Sequence, residues 1–431
     1  MRIRLPKHLW SVLINSALAS FVLYFCMYAF RKPFTVATFE GMLFWGVDYK
    51  ILLILAQVMG YMLSKFIGIK VISSLKSNQR PRYLVAMILM AELSLIVFGM
   101  LPSPYNFILF FFNGLSLGMI WGVVFSYLEG RKTTEILSII LCSSFIVSSG
   151  AVKTVGLWVM SSLGISQFEM PAVTGALFLL PFFISIYFLE KLPPPTTEDM
   201  ILRKKRKPMG PADRSKLLRQ FLFPLIILVI FYLVLTALRD FRDNFSREIW
   251  DSIGFADNIG IYTYSEIPVA ILVLALLGLF GLVKNNYKAF IGIHLVAILS
   301  CLLLGITTLL FQQGKLPPEY WMISVGFGMY ACYVPFNSIF FDRMIAAFRI
   351  DGNAGFLIYI ADSFGYLGSM AVLLYKNFGQ ARISWLKFFI ESVYILAILG
   401  GIVTVLSLLF FHRKYLRLKP HQEFNLVNVN G

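Results

Sequence analysis

Long apolar stretches alternate with short polar ones along the whole chain. Crossing the hydrocarbon core of a bilayer takes about 20 mostly apolar residues in a helix. On that rule twelve spans fall near 9–36, 49–70, 83–101, 105–127, 136–160, 171–189, 220–246, 260–283, 289–312, 319–341, 354–375 and 386–411. These runs are too long for strands, and in lipid only helices and closed barrels satisfy their own backbone groups. The run from Leu9 reaches Phe30 with no small-residue cleavage site. It outlasts the ~7–15-residue core of a signal peptide and reads as a retained first span. The expected class is an all-α membrane protein.

One polar segment is long enough to divide the chain. Residues 190–219 hold Pro193, Pro194 and Pro195, then Arg203, Lys204, Lys205, Arg206 and Lys207. Proline and charge make this a linker rather than a domain. The expected organisation is a six-helix half at 1–189, the basic linker at 190–219, a second six-helix half at 220–411 and a tail at 412–431.

Composition agrees with the pattern. Of 431 residues 58% are hydrophobic and only 14% charged, against about 25% charged in soluble domains. That excludes a soluble enzyme, a disordered chain and a nucleic-acid-binding module. Lys and Arg number 38 against 22 Asp and Glu. The positive-inside rule accounts for the excess. The basic residues fall on alternate loops and the central linker, whereas Pro102–Asn106 and Ser161–Met170 carry no Lys or Arg. Both termini are therefore expected in the cytoplasm and the chain in the plasma (inner) membrane. Four cysteines and four histidines are scattered without metal-binding spacing, so no cofactor and no catalytic centre is expected. The only partners expected are the bilayer and a small solute, with a monomer as the working state.

The halves share a short pattern. Tyr24, Tyr28 and Arg31 recur at one offset as Tyr232, Thr236 and Arg239. Residues four and seven apart lie on one helical face. Parallel six-helix repeats with a solute between them are the pattern of the major facilitator fold.

Charges within spans are costly and mark function. The first half contributes Arg31, Lys32, Lys65, Glu92 and Lys153; the second contributes Arg239, Asp240, Arg242, Asp243, Glu266, Asp362 and Glu391, with His294 nearby. The interior of the first half is cationic, and buried cations without counter-ions call for a mobile anion. Arginine suits that role because it stays charged and offers a planar fork to phosphate or carboxylate. Blander readings stand beside this one. Arg31, Lys32 and Lys65 could snorkel, the charges of the seventh span could form a local ion network, and the glutamates could be structural carboxyls. His294 reads better as a packing residue than as a proton relay. Gly114/Gly118 and Gly365/Gly368 read as close-packing devices. Pro268 and Pro335 read as kinks, and Asn244-Phe-Ser246 is a weak glycosylation sequon.

Five segments together resemble a known family. They are Tyr28-Ala-Phe-Arg31-Lys32-Pro-Phe34-Thr-Val-Ala37; Ser64-Lys65-Phe66 with Ser77-Asn78 and Pro81-Arg82; Gly114-Leu-Ser-Leu-Gly118-Met119-Ile-Trp121; Glu266-Ile267-Pro268; and Ala354-Gly355-Phe356 with Phe364-Gly365-Tyr366-Leu367-Gly368. In this order they are similar to motifs of the organophosphate:phosphate antiporters, a branch of the major facilitator superfamily that includes glycerol-3-phosphate and hexose-phosphate exchangers. The resemblance implies twelve transmembrane helices in two pseudo-symmetric halves. It also implies that Arg31 and Arg239 bind a phosphoryl group with help from Lys65. The chain departs from the family where Thr236 replaces a tyrosine, where the fifth span lacks a histidine, and where Asp362 lies in an extra turn before the last motif.

The expected function is secondary active transport of a small anionic, phosphorylated metabolite by alternating access, in exchange for phosphate. Arg31, Arg239, Lys65, Tyr28, Tyr24, Tyr232 and Lys153 are the expected solute-binding residues, and Asp362, Glu266 and Asp240 the coupling or gating ones. A proton-coupled carrier of carboxylates, peptidoglycan fragments or drugs is the alternative within transport. A membrane-embedded enzyme or a non-transporting sensor is the alternative from another class.

Overall fold

A computed structural model of the chain describes residues 7–128, 131, 133–194, 211–348, 350, 354–379 and 382–427. Residues 195–210 of the expected linker, the run Arg203–Lys207 among them, lie outside the described residues.

The chain folds into helices α1 (Lys7–Ala29), α2 (Tyr49–Ser74), α3 (Arg80–Met100), α4 (Ile108–Leu117), α5 (Ile120–Leu128), α6 (Thr134–Leu163) and α7 (Met170–Glu190). After the linker come α8 (Pro211–Asn244), α9 (Ser246–Ser252), α10 (Ile261–Phe280), α11 (Asn286–Gln312), α12 (Pro318–Ser338), α13 (Phe340–Phe348), α14 (Ala354–Leu374) and α15 (Trp385–Val427). A two-stranded antiparallel hairpin, β1 (Leu43–Phe44) with β2 (Val47–Asp48), closes the loop between α1 and α2. Among the described residues eleven helical segments are long and apolar enough to span a membrane, α4 and α5 counting as one; the bent pair α12–α13 makes twelve. Leucines and isoleucines such as Leu180, Leu299 and Ile398 stand exposed on the outside, as a surface facing hydrocarbon requires.

Several expected boundaries move. The first span stops at Ala29 rather than 36, and Pro33–Val36 is a separate 3-10 turn. Proline has no N–H to donate and disfavours the helical conformation in the residue before it. Arg31 and Lys32 therefore sit on a turn, not on a helix. The end of the expected linker is already helix: α8 starts at Pro211 and bends at Phe221. The tenth span breaks at Ile339 with a bend of 54°. The tail expected from 412 continues α15 to Val427.

Helices of the first six spans meet helices of the last six where α6 packs on α10 and where α2 packs on α14. Glycine sets the first contact, since a Cβ on Gly150 would lie 2.3 Å from the carbonyl oxygen of Tyr262. Within the first six spans α4 lies on α2, where a Cβ on Gly114 would lie 2.1 Å from the carbonyl oxygen of Gln57. The motif glycine thus packs helix on helix, as the sequence suggests.

Candidate functional site

The broken end of α1 shapes the site. Its last carbonyls have no helical partner and must bond elsewhere. Asn113 donates to the carbonyl of Phe30 at 3.0 Å, and Gln57 donates to that of Arg31 at 3.0 Å. Gln57 also donates to the Asn113 side-chain oxygen at 2.9 Å. These buried amides of α2 and α4 fix the turn that aims the Arg31 side chain.

That side chain points into a central cavity. Arg31 from the α1 turn, Lys65 from α2, Arg239 from α8 and Asp362 from α14 line it together. Tyr24 and Tyr28 of α1 share the wall. The Arg31 guanidinium lies over the Tyr61 ring at 4.0 Å from its centroid, and that of Arg239 lies over Tyr333 at 4.0 Å. Aromatic faces attract cations and are weakly hydrated, so they hold guanidinium groups without neutralising them.

The charges are unevenly matched. Lys65 Nζ lies 3.0 Å from Asp362 Oδ2. Arg239 lies 2.5 Å from Asp240 Oδ1, whose other oxygen accepts from Ser369 at 2.8 Å. Among the described residues no carboxylate lies within ion-pair distance of Arg31. Three cations against two carboxylates leave one positive charge. The sequence-based expectation of unpaired cations in the first half therefore holds for Arg31 and is corrected for Lys65 and Lys153.

Lys153 lies elsewhere. It belongs to a second cavity, lined also by Arg242, Asp243, Ser246 and Glu266 and lying toward the end of α1. Lys153 Nζ lies 2.6 Å from Asp243 Oδ1 and donates to Ser246 Oγ at 3.0 Å. Lys32 reaches the other oxygen of Asp243 at 2.5 Å and donates to Asn244 at 2.7 Å. Arg242 pairs with Glu266 at 2.7 Å, and Lys50 pairs with Glu248. Glu266 is thus placed in this cluster and not in the central cavity. Asn244 is buried against Lys32, which disposes of the sequon. At the opposite end of the bundle Arg343 reaches Glu135 at 3.1 Å, again from the later spans to the earlier ones.

Tyr232 stands behind the cavity wall. Its hydroxyl donates to Asp362 Oδ1 at 2.9 Å and accepts from Asn337 at 2.9 Å. Asp240 does not line the cavity and pairs with Arg239 at its wall. His294 is buried in packing, bonded to the Phe290 carbonyl and to Ser407. Gln57, Asn113, Asn337, Tyr61 and Tyr333 were not singled out from the sequence, and Tyr366 entered only within the Phe364–Gly368 motif. The three amides had a readable signal, because an amide inside an apolar span needs a partner there.

The arrangement matches a known architecture. A bacterial homologue of the human drug peptide transporters PepT1 and PepT2 superposes with a TM-score of 0.59 at 11% identity, covering 93% of this chain and 99% of that one. A D-xylose-proton symporter gives 0.60 at 12%, covering 93% and 97%, and a variant of the nucleoside transporter NupG gives 0.59 at 14%, covering 93% and 100%. The chain thus has the major facilitator fold of twelve membrane-spanning helices. It belongs to DUF5690, a family of unknown function whose sequence pattern matches residues 33–414. No curated protein matches it by sequence.

Proposed function

We propose that this protein is a secondary transporter that carries a small organic anion, of the phosphorylated class, across the plasma membrane by alternating access. One observation carries the reading: Arg31 and Arg239, from opposite groups of six spans, line one buried cavity, and Arg31 has no counter-ion among the described residues. A buried uncompensated charge is costly. An anion bridging both guanidinium groups removes that cost and draws the two groups of helices together, so the occupied carrier passes through a closed state that the empty one resists. The resemblance to organophosphate exchangers supports the phosphoryl class, and phosphate is the expected counter-substrate.

In this reading the two six-span groups rock about the cavity. The termini lie in the cytoplasm, as the loop charges suggest. The Lys32–Asp243–Lys153 cluster then closes the outer side, and Arg343–Glu135 is the contact on the inner side. Opening either side means parting the ion pairs there.

The test is counterflow in liposomes loaded with phosphate, against labelled phosphate, phosphate esters and carboxylates. Arg31→Lys and Arg239→Lys are each expected to abolish exchange in protein that still inserts and folds, because an ammonium offers no planar fork. Near-normal exchange by both variants defeats the assignment. Binding without exchange favours a sensor.

A further inference from the structure

Among the described residues, Lys65–Asp362 is the ion pair that both lines the central cavity and joins the two groups of spans. Arg239–Asp240, by contrast, lies within α8. Both side chains of the Lys65–Asp362 pair are less than a tenth exposed, at 6% and 8%. Lys65 holds only Oδ2 of the carboxylate, while Oδ1 is held by Tyr232, itself braced by Asn337. The two oxygens are therefore tied to different helices, and one can be released while the other stays fixed.

We propose that Asp362 is the proton-binding carboxylate of a proton-coupled anion carrier, and that the substrate displaces it from Lys65. This rests on the anion-carrier reading. The empty cavity holds one excess positive charge. A phosphate monoester brings about −1.5 to −2 at neutral pH. With Asp362 ionised, the filled cavity would hold excess negative charge away from water, which is costly. When the ammonium of Lys65 turns to the anion, Asp362 loses its counter-ion and its charged form is disfavoured. A proton then passes from water to Oδ2, the oxygen that Lys65 vacates, while Oδ1 keeps the Tyr232 hydroxyl. Dianion and proton together leave the filled cavity neutral.

The other titratable groups around Asp362 do not compete for that proton. Arg31 on the α1 turn and Arg239 on α8 stay charged. The phenols of Tyr24 and Tyr28 (α1), Tyr61 (α2), Tyr232 (α8), Tyr333 (α12) and Tyr366 (α14), and the thiol of Cys142 (α6), belong to classes that ionise well above neutrality. Glu266 is held by Arg242 in the other cavity, and Asp240 keeps its own pair with Arg239 and the hydroxyl of Ser369.

The experiment uses the purified full chain in weakly buffered detergent with a pH-indicator dye, titrated with inorganic phosphate and with glycerol phosphate. Wild type is expected to take up about one more proton per bound anion than Asp362→Asn, a difference that cancels the titration of the phosphate itself. Raising the pH restores the carboxylate and its hold on Lys65, so affinity falls as pH rises. The extra fall in wild type is up to about tenfold per pH unit across the titration of Asp362. Asp362→Glu is expected to recover the proton uptake. Equal uptake by wild type and Asp362→Asn overturns this inference and leaves the carrier reading standing. Failure of phosphate, glycerol phosphate and succinate alike to bind wild type overturns both. Should Asp362→Asn not fold, Asp362→Glu decides: an unmoved pH midpoint of binding counts against Asp362.

Discussion

At the end of α1, Lys32 and Lys153 converge on the two oxygens of Asp243. One residue earlier in the chain, Arg31 rests on the ring of Tyr61 with no carboxylate in reach among the described residues. Both regions are buried, and both join early spans to late ones. In the first, every named cation touches a carboxylate, Lys32 and Lys153 sharing that of Asp243, and several bonds cross between helix groups. In the second, one guanidinium is held only by aromatic faces and a turn whose carbonyls are already occupied by Gln57 and Asn113. The contrast separates two uses of charge in a membrane. The paired cluster fastens one end of the bundle, whereas the cavity keeps a charge that only something from outside can complete.

The largest expected effect breaks the fastened region. Asp243→Asn leaves two buried lysines without their shared carboxylate, and losing one partner of a buried pair costs about 3–5 kcal/mol. Thermal unfolding in detergent and the yield of monodisperse protein read this loss. The same truncation in the cavity should behave oppositely. Arg31→Gln removes a buried charge with no counter-ion, so stability should hold or rise, while anion binding is lost. If Arg31→Gln destabilises the protein as much as Asp243→Asn does, the two regions are not different in kind.

Much of this contrast was legible in the sequence. Arg31, Arg239, Lys65 and Asp362 stood out as charges within apolar runs, and the cavity gathers all of them. The pairing was not legible. Nothing in the spacing of Lys153 and Asp243, ninety residues apart, says that α6 and α8 bring them within 2.6 Å. Lys153 therefore read as a free cation beside Arg31. The end of α1 was readable in principle, because Pro33 stops a helix locally. Hydropathy alone carried the first span to 36, since Phe34, Val36 and Ala37 are apolar. Tyr61 and Tyr333 gave no signal, being two tyrosines among 20, and their role depends on a guanidinium that arrives from another helix.

A smaller effect sharpens the comparison at the backbone. Gly150 lines the paired cluster and lets α6 approach α10, and a Cβ there would fall 2.3 Å from a carbonyl oxygen. Backbone cannot swing aside as a side chain does, so Gly150→Ala must part the two helices. Overpacking of this kind costs about 1–3 kcal/mol. If the cluster closes the outer side, the same variant should also raise labelling of a cysteine introduced at Ser246 by a membrane-impermeant reagent. Unchanged labelling and unchanged stability together mean that α6 and α10 are not in close contact in the membrane.

The smallest effect concerns a charge that the sequence placed beside these clusters and the structure does not. Glu391 counted among the carboxyls within spans, yet it lies near the start of α15 with its side chain 51% exposed, and Lys387 stands 4.0 Å away. An exposed pair one helical turn apart contributes about 0.3–0.5 kcal/mol, less with salt. Glu391→Gln should therefore leave the unfolding temperature and anion binding where they were, at low and at high ionic strength. A loss approaching that of Asp243→Asn would mean that α15 turns this residue inward, and that the boundary between fastened and exposed charge drawn here runs in the wrong place.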